Sequence, residues 1–326
     1  MKTFNLNGEA GINLSKKDVL IFWARIIIAA GLLVYLIVKF GSFQFSEVLD
    51  NLNYYIFTIA AMLSVFNIYL QFLKWKLLSN VCLKETDNKE IFNSLFYGFA
   101  AGSFTPGRLG EYFGRGLAFK KNSLSTVAIT VMIDKLFNLF FIFLIGSLSM
   151  IFFIDFSLHV EAFVTLSLIL ILFLVFIFIG VLLVNENLWS TLIYKALSRI
   201  KSIRSLKEQL NILKNLERKS LLKLSILSLM FYVCFIVQYG LLVSSFTGSM
   251  NFVFHLWAGS LTIFVKTIIP SITFGELGIR EAASMYFVSE FGFTEQAGFN
   301  AAFLLFFINI LIPSLIGIAL LFKRGR

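Results

Sequence analysis

From Ala162 to Val184 the chain carries no charged residue. That run exceeds the roughly 20 residues that a helix rising about 1.5 Å per residue needs to cross bilayer hydrocarbon. A second apolar run of span length, interrupted by Arg25 alone among charged residues, lies at Leu20–Val38. With 58% of its residues apolar and only 14% charged, the chain lacks the polar surface that a soluble domain of this size needs to cover its core. The short alternating segments that build a transmembrane barrel are missing from the pattern. The fold class that follows is all-α: a polytopic transmembrane helical bundle.

The net charge of +10 then reads as topology. Basic residues collect in cytoplasmic loops, and no soluble module is evident that would turn them toward nucleic acid. Residues 1–18, with Lys2, Lys16 and Lys17, are expected to be a cytoplasmic segment. The first span, Val19–Val38, follows, with Arg25 near enough to its start to snorkel. A second span, Tyr54–Leu73, returns to Lys74, Lys76, Lys84 and Lys89, read as a cytoplasmic cluster. Residues 91–119 begin and end beside basic loops and are interrupted by Gly102-Ser103-Phe104-Thr105-Pro106-Gly107. A break at membrane depth is tolerated where it is buried in protein or lines a polar cavity, so this stretch is expected to be a re-entrant hairpin. Spans at Thr126–Phe153 and Ala162–Val184 complete a first membrane half, 19–184.

Residues 185–220 place Trp189, Leu192, Leu210 and Leu213 at helical spacing, with Lys195, Arg199, Lys201, Arg204 and Lys207 on the other face. Such a basic amphipathic segment lies on anionic headgroups or packs on the bundle, and the pattern favours neither. The second half, 221–322, holds a span at Leu221–Phe246, another broken stretch at 252–287 and a span at Ala297–Phe322. A basic tail, 323–326, puts the C-terminus on the cytoplasmic side with the N-terminus. Cys82 and Cys234 offer no disulfide framework. No cleavable signal peptide is expected, because the polar start leads into a run of full span length.

The two breaks resemble each other. Ser103-Phe104-Thr105-Pro106-Gly107-Arg108-Leu109-Gly110-Glu111 aligns without gaps on Ser271-Ile272-Thr273-Phe274-Gly275-Glu276-Leu277-Gly278-Ile279, sharing Ser, Thr, Gly, Leu and Gly. Charge bias sends the two hairpins in from opposite sides. Inverted repeats that gather broken helices around a midplane site are a recurring transporter plan, and an inverted repeat is the expectation here.

Charges at this depth are expensive, yet the hairpins carry Arg108, Glu111 and Arg115 in the first and Lys266, Glu276, Arg280 and Glu281 in the second. Asp134 and Lys135 sit within a span and are expected to form a buried ion pair. One reading is a set of internal ion pairs that fix the hairpins. The other is a polar cavity for a charged headgroup: guanidinium forks suit phosphate oxygens, and Gly-rich breaks admit close backbone approach. In that reading the hairpin backbone at Thr105, Pro106, Gly107, Gly110, Pro270, Thr273, Gly275 and Gly278 shapes the site, with Thr105 and Thr273 capping half-helices. His159 and His255 belong to no metal-ligand cluster, and no nucleophile elbow, P-loop or dinucleotide fingerprint occurs. No cofactor, metal or catalytic residue is therefore expected.

At Thr105-Pro106-Gly107-Arg108-Leu109-Gly110-Glu111 with Arg115, and at Gly275-Glu276-Leu277-Gly278-Ile279-Arg280-Glu281 after Pro270, the chain resembles the lysylphosphatidylglycerol synthase transmembrane-region family of flippase-like bacterial and archaeal membrane proteins. The likeness extends over most of residues 15–323. It implies a multi-pass protein of the bacterial or archaeal plasma membrane. In multidomain relatives this region is associated with moving an aminoacylated phospholipid between leaflets. Relatives that synthesise the lipid carry a further soluble acyltransferase domain, for which this chain leaves no room after Phe322, so an enzyme is not expected. Phe274-Gly275-Glu276 stands where a more Gly- or Pro-rich run is common in the family.

The expected function is a flippase-like transporter of a phospholipid or lipid-linked headgroup. Its partners would be membrane lipids, anionic or aminoacylated, with a homo-oligomer left open. The alternatives are a small-solute or ion transporter, a membrane enzyme using Glu111, Asp134 or Glu281 as acid or base, and a non-catalytic partner of envelope lipid enzymes.

Overall fold

The computed structural model describes residues 52–103, 105–195, 209–249, 251–269 and 278–324. Every regular element among them is helical. The segment 1–18 expected to be cytoplasmic and the expected first span, Val19–Val38, lie outside the described residues, as does the centre of the basic segment, 196–208.

Helix α1, Tyr54–Leu78, starts where Asn53 Oδ1 accepts from the Tyr55 and Ile56 amides, both at 3.2 Å. It continues through a π turn, Ser79–Leu83. α2, Asn88–Ser103, leads through a tight turn into the short α3, Gly110–Gly114, and a 3-10 turn at Arg115–Ala118. α4, Leu124–Leu158, begins at Ser123, whose Oγ accepts from the Thr126 amide, and ends at His159 in the left-handed region. α5, Ala162–Leu183, leans on α4, and Thr165 is its only buried residue. α6, Arg218–Thr247, precedes α7, Phe252–Ile268, and α8, Ile279–Glu290. α9, Glu295–Phe306, passes through a π turn at Phe307–Leu311 into α10, Ile312–Arg324.

Among the described residues, five helical segments are long and apolar enough to cross a membrane: Tyr54–Leu83, Leu124–Leu158, Ala162–Leu183, Arg218–Thr247 and Glu295–Lys323. The chain is a multi-pass, membrane-embedded protein. α4 has 35 residues, a length of about 52 Å against roughly 30 Å of hydrocarbon, so it tilts or projects past the headgroups. α2 and α7, with 16 and 17 residues, reach only about 24 and 26 Å and fall short of the hydrocarbon thickness.

Within the bundle α1 packs along α6, α2 packs against both α3 and α10, and α7 packs against α8 and α4. The core around Trp75, Leu95, Phe99 and Phe137 also takes in Trp189, Leu210 and Leu213. The described parts of the basic segment are therefore docked on the bundle. Trp189 Nε1 donates to the Leu183 carbonyl at 2.8 Å.

Candidate functional site

The turn between α2 and α3 is held by its hydroxyls. Ser103 Oγ donates to the Phe99 carbonyl at 2.9 Å. Thr105 Oγ1 accepts from the Gly110 amide at 2.6 Å, anchoring the start of α3. Gly107 at φ +59° and Arg108 at φ +54° reverse the chain. Left-handed backbone is natural for glycine, whereas for an arginine it stores roughly 1–3 kcal/mol of strain.

Glu111 and Arg115 follow one helical turn apart and face α4. Arg115 Nη2 lies 2.6 Å from Glu111 Oε1, and its Nη1 lies 3.4 Å from Asp134 Oδ2. The Arg115 guanidinium sits 4.4 Å from the Trp75 ring centroid. Ser94 links the two: its Oγ accepts from Trp75 Nε1 at 3.1 Å and donates to the Arg115 carbonyl at 2.7 Å. Asp134 Oδ1 is 2.9 Å from Lys74 Nζ, which also donates to Asn138 Oδ1. The other Glu111 oxygen meets Lys135 Nζ at 3.0 Å and Arg108 Nη2 at 3.4 Å. Four cations thus share two carboxylates.

The network has a closed end and an open one. Side chains of Lys74, Asp134 and Arg115 are 1%, 8% and 2% exposed, whereas Arg108 and Lys135 reach 20% and 25%. Glu111 joins the ends.

Two expectations need correction here. Asp134 and Lys135 take different partners rather than each other: Asp134 turns to the buried Lys74 and Arg115, whereas Lys135 turns to Glu111 at the more open end. Lys74 is no loop residue of a cytoplasmic cluster. α1 runs on to Leu83, which places Lys74 inside the bundle and fully covered.

In the second half, Arg280 pairs with Glu281 and lies 5.3 Å from the Phe306 ring centroid; both side chains are buried. Glu281 Oε2 also accepts from the amide of Gly278, whose φ is +98°. Arg280 and Lys266 line the same cavity, of about 170 Å³, as Arg108, Glu111, Arg115, Asp134 and Lys135. Pro270, Thr273, Gly275 and Glu276 lie outside the described residues. His255, whose Nδ1 is 2.8 Å from Ser244 Oγ, is not among the cavity residues.

Residues 22–317 match the family described as the lysylphosphatidylglycerol synthase TM region. The chain belongs to that family. No curated protein and no solved structure gives a significant match.

In this member of the synthase TM-region family the cavity also takes in Asn67, Gln71, Lys74, Asn138 and Asn309, none of which the charge and glycine patterns assign to the site. A helical signal was present for three of them: Asn67, Gln71 and Lys74 stand at i, i+4 and i+7, one face of α1. Beside the cavity, a groove of about 600 Å³ runs over α4, α6 and α7, lined chiefly by Ile145, Leu148, Phe152, Ile236, Leu256 and Trp257. Tyr232 lines both spaces. Its hydroxyl is 3.0 Å from Ser260 Oγ, which accepts from Ser149 Oγ at 2.8 Å.

Proposed function

We propose that this chain carries an anionic phospholipid or lipid-linked headgroup between leaflets. The observation behind this reading is the junction at Tyr232, where a cation-rich cavity abuts an apolar groove. An amphiphile fits that junction, with its phosphate among Arg108, Lys135 and Arg280 and a tail against α4, α6 and α7. A headgroup crossing unaided loses its hydration with nothing in return; fixed guanidinium and ammonium groups replace that water. A cavity of about 170 Å³ takes a small polar head and leaves the tails outside.

In this reading the two helix pairs, α2–α3 and α7–α8, enter from opposite faces as re-entrant hairpins, and the halves form an inverted repeat. Support comes from the crossed packing. Each pair leans on the long segment that follows the other pair, α2 on α10 and α7 on α4, while α1 and α6 meet as equivalents. Rocking of one half against the other would open the cavity to each leaflet in turn. The chemistry is binding and release, with no acid or base assigned, and the termini face the cytoplasm of a bacterial or archaeal cell.

The test is leaflet exchange of labelled phospholipids in proteoliposomes, comparing the wild type with Arg108→Gln and Arg280→Gln. Exchange should fall at least tenfold in each variant that retains its helical content. Unchanged exchange in both, or saturable uptake of a soluble anion in place of lipid, would overturn the proposal.

A further inference from the structure

One layer of side chains separates the cavity from the groove. On α4 the cavity lining ends at Ile142 and the groove begins at Ile145; on α7 the groove ends at Ser260 and the cavity begins at Ile263. Three residues advance about 4.5 Å along a helix, less than one turn. On α6 the two spaces meet at Tyr232, which alone among the described residues borders both. From this layer the groove continues to Asp155 and Phe156, near the end of α4, while the cavity reaches back to Asp134. The layer therefore stands between the charged site and one side of the membrane.

Two of the three helices are fastened to each other here. Ser149 Oγ of α4 donates to Ser260 Oγ of α7 at 2.8 Å, and Trp257 Nε1 donates to the Ser149 carbonyl at 3.0 Å. Gly146 lets Phe264 approach so closely that a Cβ on the glycine would stand 2.5 Å from the ring. α6 reaches this frame through the buried Tyr232 hydroxyl, 3.0 Å from Ser260 Oγ. A tyrosine can change rotamer while its helix stays in place, and the net worth of one hydroxyl bond is small. Such a bond sets how often the side chain swings out.

We propose that Tyr232 is a gate residue, latched on Ser260, which must swing aside before an amphiphile can hold its phosphate in the cavity and its tail in the groove. The inference rests on the lipid-carrier reading and adds to it the residue that controls passage. A ligand that binds the open state alone has an apparent affinity reduced by the fraction of protein that is open. A tail-free phosphate occupies the cavity with the gate closed and escapes that reduction. Loosening the latch therefore favours the lipid and leaves the tail-free phosphate as it was.

Tyr232→Phe removes the latch hydroxyl and keeps the ring and the Ser149–Ser260 bond. The purified full-length protein, wild type and variant, is titrated with a short-chain phosphatidic acid and with glycerol phosphate, which share a phosphomonoester and differ in their tails. Phosphatidic acid should bind about two- to tenfold more tightly to the variant, the range that one hydroxyl bond spans, with glycerol phosphate affinity unchanged. Should Tyr232→Phe lose helical content, Ser260→Ala, which cuts the latch from the other side, decides in its place. Unchanged phosphatidic acid affinity, or equal tightening of both ligands, overturns the gate. A lipid-selective shift in binding, with no leaflet exchange by the wild type in proteoliposomes, keeps the gate and removes the carrier reading.

Discussion

Replacing Lys74 by Met removes one member of a buried ion pair and leaves Asp134 with Arg115 alone. The pair closes at 2.9 Å with both side chains under 10% exposed. At an effective dielectric near 20 its gross attraction is about 6 kcal/mol. Hydration regained on unfolding offsets part of that, and losing one partner of a buried pair costs about 3–5 kcal/mol net. Asp134→Asn should cost about as much, since it strands Lys74 with only the Asn138 carbonyl oxygen. The double variant strands neither, and Arg115 keeps Glu111 at 2.6 Å. It should lie closer to the wild type than the sum of the singles, by about 2 kcal/mol or more. Equilibrium unfolding in mixed micelles by a denaturing detergent, followed by helical content, measures all four proteins. Single variants within about 1 kcal/mol of the wild type, or an additive double, would refute the idea that the pair braces α1 against α4.

Glu111→Gln withdraws the carboxylate that Arg108 and Lys135 share; titration with a short-chain phosphatidic acid should show severalfold tighter binding. Gly98→Ala would set a Cβ 2.6 Å from Arg115 Cγ, and overpacking there should cost about 1–3 kcal/mol in the same unfolding assay. Arg108→Gly removes a left-handed arginine and a 3.4 Å ion pair together. Stability should stay within about 1 kcal/mol of the wild type, while lipid exchange drops at least tenfold.

Hydropathy made the helices legible, because a span-length apolar run has few other ways to be buried. Their ends were less so. α1 runs past the expected span end at Leu73 to Leu78, and Lys74 falls on its buried face. Charge rules assign a lysine to a loop by its neighbours in sequence, and Lys76, Lys84 and Lys89 are such neighbours. The true partner, Asp134, lies on α4. The charged half of the site was visible because charge at membrane depth demands a reason. The neutral amides were not. Asn67 and Asn309, which line the cavity, come from helical segments far apart in sequence, and a neutral amide in an apolar run carries little signal until the bundle brings it to a polar site.

The network also separates the two roles that charge patterns alone left joined. A brace is best when its groups are covered and held from several sides, and Lys74, Asp134, Arg115 and Trp75 meet that description. Arg108 does not. Its backbone is strained and its side chain is the more open. On the carrier reading, a phosphate would engage the Arg108 fork directly and release Glu111 to Lys135 and Arg115. Glu111 joins the brace to the open end, so an anion taken up by Arg108 would strengthen the pairs that hold α3 to α4 and couple headgroup entry to the position of the α2–α3 turn.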